Sequence, residues 1–227
     1  MILAATGLLR EARIVGGGET TAIAGGGDQP SLEARLDAVA PRAKAIASIG
    51  IAGGLAPRLR VGAWVVADRV LADDAVVTTD EAWSAFIAER LGDATRGLLL
   101  GRNAMVMTAS EKALLHRTTA ALAVDMESHV AARVAKRHRL PFVAARVICD
   151  PASHSLPPAA CVGMKPDGAM DIVAVLRSLL SRPGQLPALI GVALDAERAF
   201  AALLRGHRRL GPRLGFPDLG ELGLDVP

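Results

Sequence analysis

Tyrosine is missing from this 227-residue chain, and Phe and Trp together bring its aromatic share to only 3%. A core for a domain of this length must therefore be assembled from Ala, Val, Leu and Ile. The shortage also removes the stacked aromatic platforms on which single-stranded nucleic acids are held. Cysteine is nearly as scarce: Cys149 and Cys161 stand alone, without metal-ligand spacing. That excludes a disulfide framework and fits a reducing cytoplasm. His116, His129, His138, His154 and His207 are scattered in the same way, so no metal is expected. No apolar run reaches the roughly 20 residues of a membrane span. Met1 runs directly into Ile2-Leu3-Ala4-Ala5 with no basic segment before it, which reads as a first strand rather than a secretory signal.

What is present suits one globular α/β domain, with 51% of residues apolar and 22% charged. The net charge of +3 is small for the length, so the sequence pI near 9.3 reflects a modest excess of arginine. The excess gathers near the C-terminus in Arg198, Arg205, His207, Arg208, Arg209 and Arg213. Such a patch can face an anionic membrane surface or a phosphate, or can be a solvated helix face. No nucleic-acid-binding motif accompanies it, and nucleic acid is not expected as a partner.

The spacing of apolar residues and breakers predicts strands at 2–6, 20–24, 44–51, 62–71, 97–106, 122–124 and 141–149. Helices are predicted after a cap at Asp28 or Ser31, at 81–91, after the Thr108/Glu111 capping box, at 126–138, at 169–181 and at 187–205. Gly16-Gly17-Gly18 reads as a hairpin turn, and 151–168, with four prolines, as an irregular loop. The alternation points to a three-layer α/β/α fold around a central, mostly parallel mixed sheet. The expected division is one domain over 1–210 and a loosely packed Gly/Pro-rich tail over 211–227.

Ligands in open α/β sheets bind beyond the carboxyl ends of strands, so acids at strand ends come first. Asp150 closes the most apolar strand, and Pro151 disfavours helical backbone at Asp150. Desolvation there would raise a carboxyl pKa toward the range of a general acid, although an aspartate capping a loop fits equally. Asp125-Met126-Glu127 puts two acids at a strand-to-helix junction, where they can bind a vicinal diol or simply favour the helix N-terminus. Glu11 is either a surface helix charge or a pocket residue. Gly25-Gly26-Gly27 and Gly53-Gly54 permit close backbone approach, the former to an anion, or are plain turns. Neither fits a dinucleotide or P-loop pattern. Ser48, Ser110 and Ser128 lack the context of a nucleophile elbow, which argues against a serine hydrolase. His154, in the loop after Asp150, is a minor candidate.

Together these segments resemble the nucleoside phosphorylase / methylthioadenosine–adenosylhomocysteine nucleosidase superfamily. Ser48-Ile49-Gly50-Ile51-Ala52-Gly53-Gly54-Leu55-Ala56-Pro57 with Val61 to Val66, then Ala123 to Ser128, then Pro141 to Asp150 carry the likeness, in order, over residues 1–150. The resemblance implies that Asp150 hydrogen-bonds or protonates purine N7, that Glu127 and Asp125 face the ribose with Met126 packed on the sugar, and that Met105 and Val106 contact adenine. It implies a water-activating role for Glu11, with Arg10 taking that place if the register slides by one. Ile51, Cys149 and Gly25-Gly26-Gly27-Asp28 depart from the nucleosidase pattern and leave water or phosphate open as nucleophile, with Gly25, Gly26 and Gly27 as the candidate phosphate or water site. No cofactor is implied, other than phosphate as a co-substrate.

Beyond Asp150, the stretches Leu156–Ala160 and Leu176–Pro187 resemble the hopanoid-associated phosphorylase branch. That branch implies release of adenine from adenosylhopane, giving ribosylhopane or its phosphorylated form. The partners implied are a lipid-linked nucleoside, a peripheral contact with the inner membrane face of a cytoplasmic protein, and a second copy in a homodimer or higher homo-oligomer. A nucleosidase for soluble methylthioadenosine or adenosylhomocysteine, or a silent lipid- or nucleoside-binding protein, are the alternatives.

Overall fold

The computed structural model describes residues 1–72, 75–161 and 171–217. The chain runs β1 (Ile2–Thr6), α1 (Leu9–Val15), β2 (Thr20–Ala24), α2 (Gln29–Val39), β3 (Ala45–Gly54), β4 (Trp64–Ala72), β5 (Ala75–Thr78) and α3 (Glu81–Leu91). It continues through β6 (Thr95–Gly101), α4 (Ala109–Thr119), β7 (Ala123–Asp125), α5 (Ser128–His138), β8 (Phe142–Asp150), a short turn α6 (Pro158–Cys161), α7 (Ile172–Ser181) and α8 (Leu186–Leu210). Caps fix several helix starts, because an oxygen acceptor satisfies an amide the helix leaves unpaired. Asp28 accepts from the Ser31 amide at 3.0 Å and Asp80 from that of Trp83 at 2.9 Å. Thr108 accepts from Glu111 at 3.2 Å, while the Glu111 carboxylate pairs with Arg102 instead of completing the box.

The strands form one mixed sheet in which β1 is parallel to β2 and β3, β3 to β8, β4 to β6, and β6 to β7. β7 is antiparallel to β3, and β4 is antiparallel to both β5 and β8. The pairings β3–β8–β4–β6–β7–β3 thus close a ring of five strands, with β1 and β2 extending it on one side and β5 on another. Apolar side chains of the sheet pack against α2 and α5 on one face, through Leu32, Leu36, Val130 and Val134. On the other face they meet α1, α3 and α8 through Val15, Trp83, Ile87 and Leu203. Three layers result, as the alternation of elements implies.

Several boundaries move. β3 runs on through Gly53 and Gly54, because β7 and β8 both pair with that extension. β6 stops at Gly101, which leaves Met105 and Val106 in a connecting segment rather than on a strand. β5 carries no sequence signal beyond four residues, and exists because β4 offers it a free edge. Gly16 to Gly18 turn from α1 into β2, closed by reciprocal Gly17–Thr20 backbone hydrogen bonds, so they join a helix to a strand instead of two strands. The start of the C-terminal segment is packed: Leu214 is buried, its carbonyl accepts from Trp83 Nε1 at 2.9 Å, and Phe216 meets the Trp83 ring edge-on. The rest of the expected tail, 218–227, lies outside the described residues, as does 162–170 of the proline-containing loop.

α8 is not amphipathic along its whole length. Phe200 and Leu203 enter the core, whereas Leu186, Ile190 and Leu194 form an i, i+4, i+8 stripe that stays exposed. Leu176 and Leu180 on α7 are exposed as well, Leu180 by 85%. Among the described residues no helix is long and apolar enough to cross a membrane. The basic patch is partly neutralised. Arg198 pairs with Asp195 and Arg213 with Glu19, and Arg209 donates to the Leu91 carbonyl.

Candidate active site

β1, β3 and β8 run parallel; β1 ends at Thr6, one residue past its Ala5–Ser48 pair, while β3 and β8 run on to Gly54 and Asp150, and this stretch brings together residues far apart in sequence. Arg146 on β8 stands opposite Gly50 on β3 and is fully buried. A guanidinium can survive there only with acids around it. Its Nε lies 2.5 Å from Asp125 Oδ2 and its Nη2 3.4 Å from Glu127 Oε2. Nη2 also donates to Ser48 at 2.5 Å, and Ser48 and Ser128 hydroxyls are 3.0 Å apart. Asp125 further accepts the Ser128 hydroxyl and the Ser128 amide, the latter at 3.0 Å. The serines excluded as nucleophiles are thus part of the scaffold that orients this arginine and aspartate.

Glu11 enters the same cluster from the first turn of α1 and is buried. Its Oε2 accepts from the amides of Gly7 and Leu8 at 2.6 and 2.7 Å, and its Oε1 from Ile51 at 2.7 Å. Arg10, one residue earlier, points away to Glu197 and the Phe200 ring. Of the two, Glu11 is the one that shares the buried cluster. Gly50 is required here, because a Cβ on it would lie 2.6 Å from Glu11 Oε1 and 2.7 Å from Arg146 Nη1. A Cβ on Gly7 would sit 3.1 Å from Glu127 Oε1 and 3.3 Å from Glu11 Oε2, so both carboxylates converge over its Cα.

Three carboxyl groups thus share one guanidinium. Burial pushes the Glu127 carboxyl up to about 8, the Arg146 charge opposing and the Asp125 and Glu11 charges reinforcing that rise. Burial raises Glu11 too, against Arg146 and its three amide donors. Glu127 is consequently poised to hold or exchange a proton near neutrality, and Glu11 is shifted in the same direction.

Asp150, at the end of β8, faces Gly53 of β3, whose other strand partner is Val124, next to Asp125. A Cβ on Gly53 would lie 3.8 Å from Asp150 Oδ2. Its partner was not foreseen: the fully buried Lys112 of α4 donates to Oδ2 at 2.6 Å. Lys112 also donates to the carbonyls of His154 and Pro151 at 2.8 and 3.1 Å, which ties α4 to the loop beyond β8. Burial raises the Asp150 carboxyl and Lys112 pulls it back. His154 contributes that carbonyl, while its exposed ring lies 3.9 Å from Asp195.

Gly54 packs against Ile148 and Pro151, which makes it a spacer between strands. Gly25 lies against Glu127, 3.4 Å from Cγ to the place of a Cβ. Its amide donates to Thr6 and that of Gly26 to Gly7, and Asp28 donates back to Gly25. Those amides of the glycine run are therefore spent inside the fold instead of facing an anion. Val106 is buried beside Leu55 and Val124, whereas Met105 is exposed and Met126 half-buried. Among the described residues no group of His, Cys, Asp and Glu is arranged to hold a metal ion.

Residues 17–180 match the profile described as the phosphorylase superfamily. The chain belongs to that superfamily. Solved structures agree with the fold. A 5′-methylthioadenosine/S-adenosylhomocysteine nucleosidase from S. pneumoniae, bound to a transition-state inhibitor, superposes with a TM-score of 0.63 at 17% identity, over 92% of this chain and 99% of that one. Futalosine hydrolase of Helicobacter pylori gives 0.64 at 14% identity over 92% and 96%. An S-adenosylhomocysteine nucleosidase from Streptococcus pyogenes gives 0.62 at 17% over 92% and 97%. At these identities the likeness is one of fold, and the acids near the strand ends are the titratable groups that this fold gathers.

Of the residues that pair with the candidate acids, Arg146 and Lys112 were not anticipated from the sequence. Arg146 stood inside the quoted Pro141–Asp150 motif with no role of its own, and its signal was a lone charge in an otherwise apolar strand. Lys112 left one faint mark, a cation in the middle of a helix whose only buried residue it proves to be.

Proposed function

We propose that this enzyme hydrolyses the N-glycosidic bond of an adenosine-type nucleoside carried on a hopanoid lipid, adenosylhopane, releasing adenine and ribosylhopane. The observation that carries the reading is the convergence of Glu11 and Glu127 over Gly7, backed by Arg146, at the carboxyl ends of strands that also carry Asp150. Breaking the bond from C1′ to N9 leaves positive charge on the ribose and negative charge on the purine. Glu127 supplies the carboxyl that faces the sugar, with Met126 against it, while Asp125, engaged by Arg146 and Ser128, holds the arginine behind it. Asp150 supplies the hydrogen bond or proton for N7, and Val106 and Met105 line the base.

Water is favoured over phosphate as the nucleophile. Arg146, the cation of the cluster, is already taken up by Asp125 and Glu127, and the amides of Gly25 and Gly26 are engaged, so neither is left to receive a phosphate dianion. Glu11, desolvated and raised, is a base within reach of a water held over Gly7. The lipid assignment rests on two supports. One is the sequence likeness of residues 156–160 and 176–187 to the hopanoid-associated branch. The other is the set of exposed apolar side chains, Leu176 and Leu180 on α7 and Leu186, Ile190 and Leu194 on α8, each forgoing half or more of the about 1.5–3 kcal/mol that full burial would release. Residues 172–194 carry Arg177 and Arg182 and no acid, which suits the inner face of an anionic membrane.

The test is adenine release from adenosylhopane, from methylthioadenosine and from adenosylhomocysteine, each with and without phosphate. Release from adenosylhopane without phosphate is expected. Release only with phosphate would make the enzyme a phosphorylase, and release only from the two soluble nucleosides would remove the lipid assignment. Absence of adenine from all of them would refute the enzymatic reading.

A further inference from the structure

Lys112 is one of the largest fully buried side chains in the protein, and it is the only buried residue of α4. Burying an ammonium without full hydrogen bonding is costly, so its three N–H donors need three acceptors. They have them: Asp150 Oδ2, the His154 carbonyl and the Pro151 carbonyl. The two carbonyls alone would hold the loop. Oδ2 of Asp150 is the shortest of the three contacts, and among the described residues Oδ1 accepts nothing. The carboxyl is thus pinned by one oxygen and open at the other.

We infer that Lys112 is a positioning residue for the acid: its ammonium fixes Oδ2, leaves Oδ1 to face the purine, and stabilises the carboxylate that remains once a proton has been given up. The inference rests on the reading of Asp150 as the N7 acid. In the step, the C1′–N9 electron pair stays with the adenine, the Asp150 proton moves from Oδ1 to N7, and Asp150 becomes a carboxylate paired with Lys112. Water adds to C1′ and loses its proton to Glu11, so atoms and charge balance, and the acid is reset when protons re-equilibrate. Without Lys112 the same carboxylate would be left at a desolvated strand end, and proton donation would become harder.

The groups facing Asp150 are few. Lys112 comes from α4, His154 from the loop, Asp195 from α8 with Arg198 paired to it, and Cys149 is adjacent on β8. Burial is the foremost cause of the raised Asp150 carboxyl, and Lys112 is the foremost opposing one. Cys149, pushed up to about 12, stays neutral through the working range.

The experiment is the pH profile of adenine release for wild type, Lys112→Met, Asp150→Asn and the double variant, using the nucleoside that wild type turns over. Activity needs Asp150 protonated, and because Glu127 also gives up its proton at about 8, the alkaline limb that disappears in Asp150→Asn is the one that reports this acid. An opposite charge in contact lowers a carboxyl pKa by about 1–3 units, so Lys112→Met should move the alkaline limb upward by that amount. It should lower kcat while KM holds, and add nothing in the Asp150→Asn background. Lys112→Gln, which keeps donors for the two carbonyls, should shift the limb likewise and serves if the Met variant does not fold. An unmoved limb in a folded variant, or equal losses with and without Asp150, would reduce Lys112 to a loop tether and overturn the inference. Full activity of Asp150→Asn would instead overturn the acid assignment itself, and with it this inference.

Discussion

Replacing Glu127 by Gln keeps the size of the side chain and removes a carboxyl that burial has pushed up to about 8. In the unfolded chain the same group titrates near its ordinary value of 4.5. Between those two values the folded protein binds a proton that the unfolded chain has released. Stability contributed by this group is therefore whole below 4.5, falls by about 1.4 kcal/mol for each pH unit above it, and levels off above about 8. At pH 7 the loss amounts to about 3 kcal/mol. Gln carries no such proton, and Arg146 keeps Asp125 and Ser48 as partners when its 3.4 Å contact to Glu127 is gone. Glu127→Gln should accordingly be more stable than wild type by about 3 kcal/mol at neutrality, with the margin shrinking to nothing toward pH 4.5. It should also release adenine at least about a hundredfold more slowly, as expected when a group facing developing charge is lost. Urea unfolding of both proteins across this window, read as free energies by linear extrapolation, measures the margin. A margin independent of pH, or a variant that weakens further as pH rises, would refute the reasoning.

Three further perturbations probe the same cluster and its surroundings. Arg146→Met leaves Asp125, Glu127 and Glu11 without their cation and should destabilise the fold by about 3–5 kcal/mol at pH 7, less in acid, by denaturant titration. Gly50→Ala drives a methyl into Glu11 and Arg146 and should abolish adenine release even where circular dichroism reports a folded chain. Leu180→Asn with Ile190→Asn changes exposed positions, so it should leave the melting temperature within about 2 °C. It should lower sedimentation with anionic vesicles and raise KM for adenosylhopane without touching turnover of a soluble nucleoside.

The layered fold was legible because its signals are local. Buried strands such as 141–149 are apolar but for one charge, and Asp28 and Thr108 mark helix starts by a hydrogen bond spanning three residues. The acids were legible as candidates because each lies at a strand end or a strand-to-helix junction. Their partners were not, since the contacts joining Asp150 to Lys112 and Arg146 to Asp125 are made in space between residues 38 and 21 positions apart. The stripe on α8 misled for a related reason. Period alone groups Ile190 and Leu194 with Phe200 and Leu203, yet only the last two find a neighbouring sheet to cover them. Gly25-Gly26-Gly27 looked available to an anion because a sequence does not reveal which amides are already donated to Thr6 and Gly7.

The hoop of five strands has a consequence for entry. Asp150 rides on one of its members and Asp125 on another, with the strand carrying Gly53 between them. Prising these apart would sever the long β3–β8 ladder as well as the two-pair β3–β7 contact, so the sheet resists widening as a jaw would. A nucleoside has to be admitted by the connecting segments around it, and mutations in those segments should alter the rates of arrival and departure while leaving the chemical step untouched.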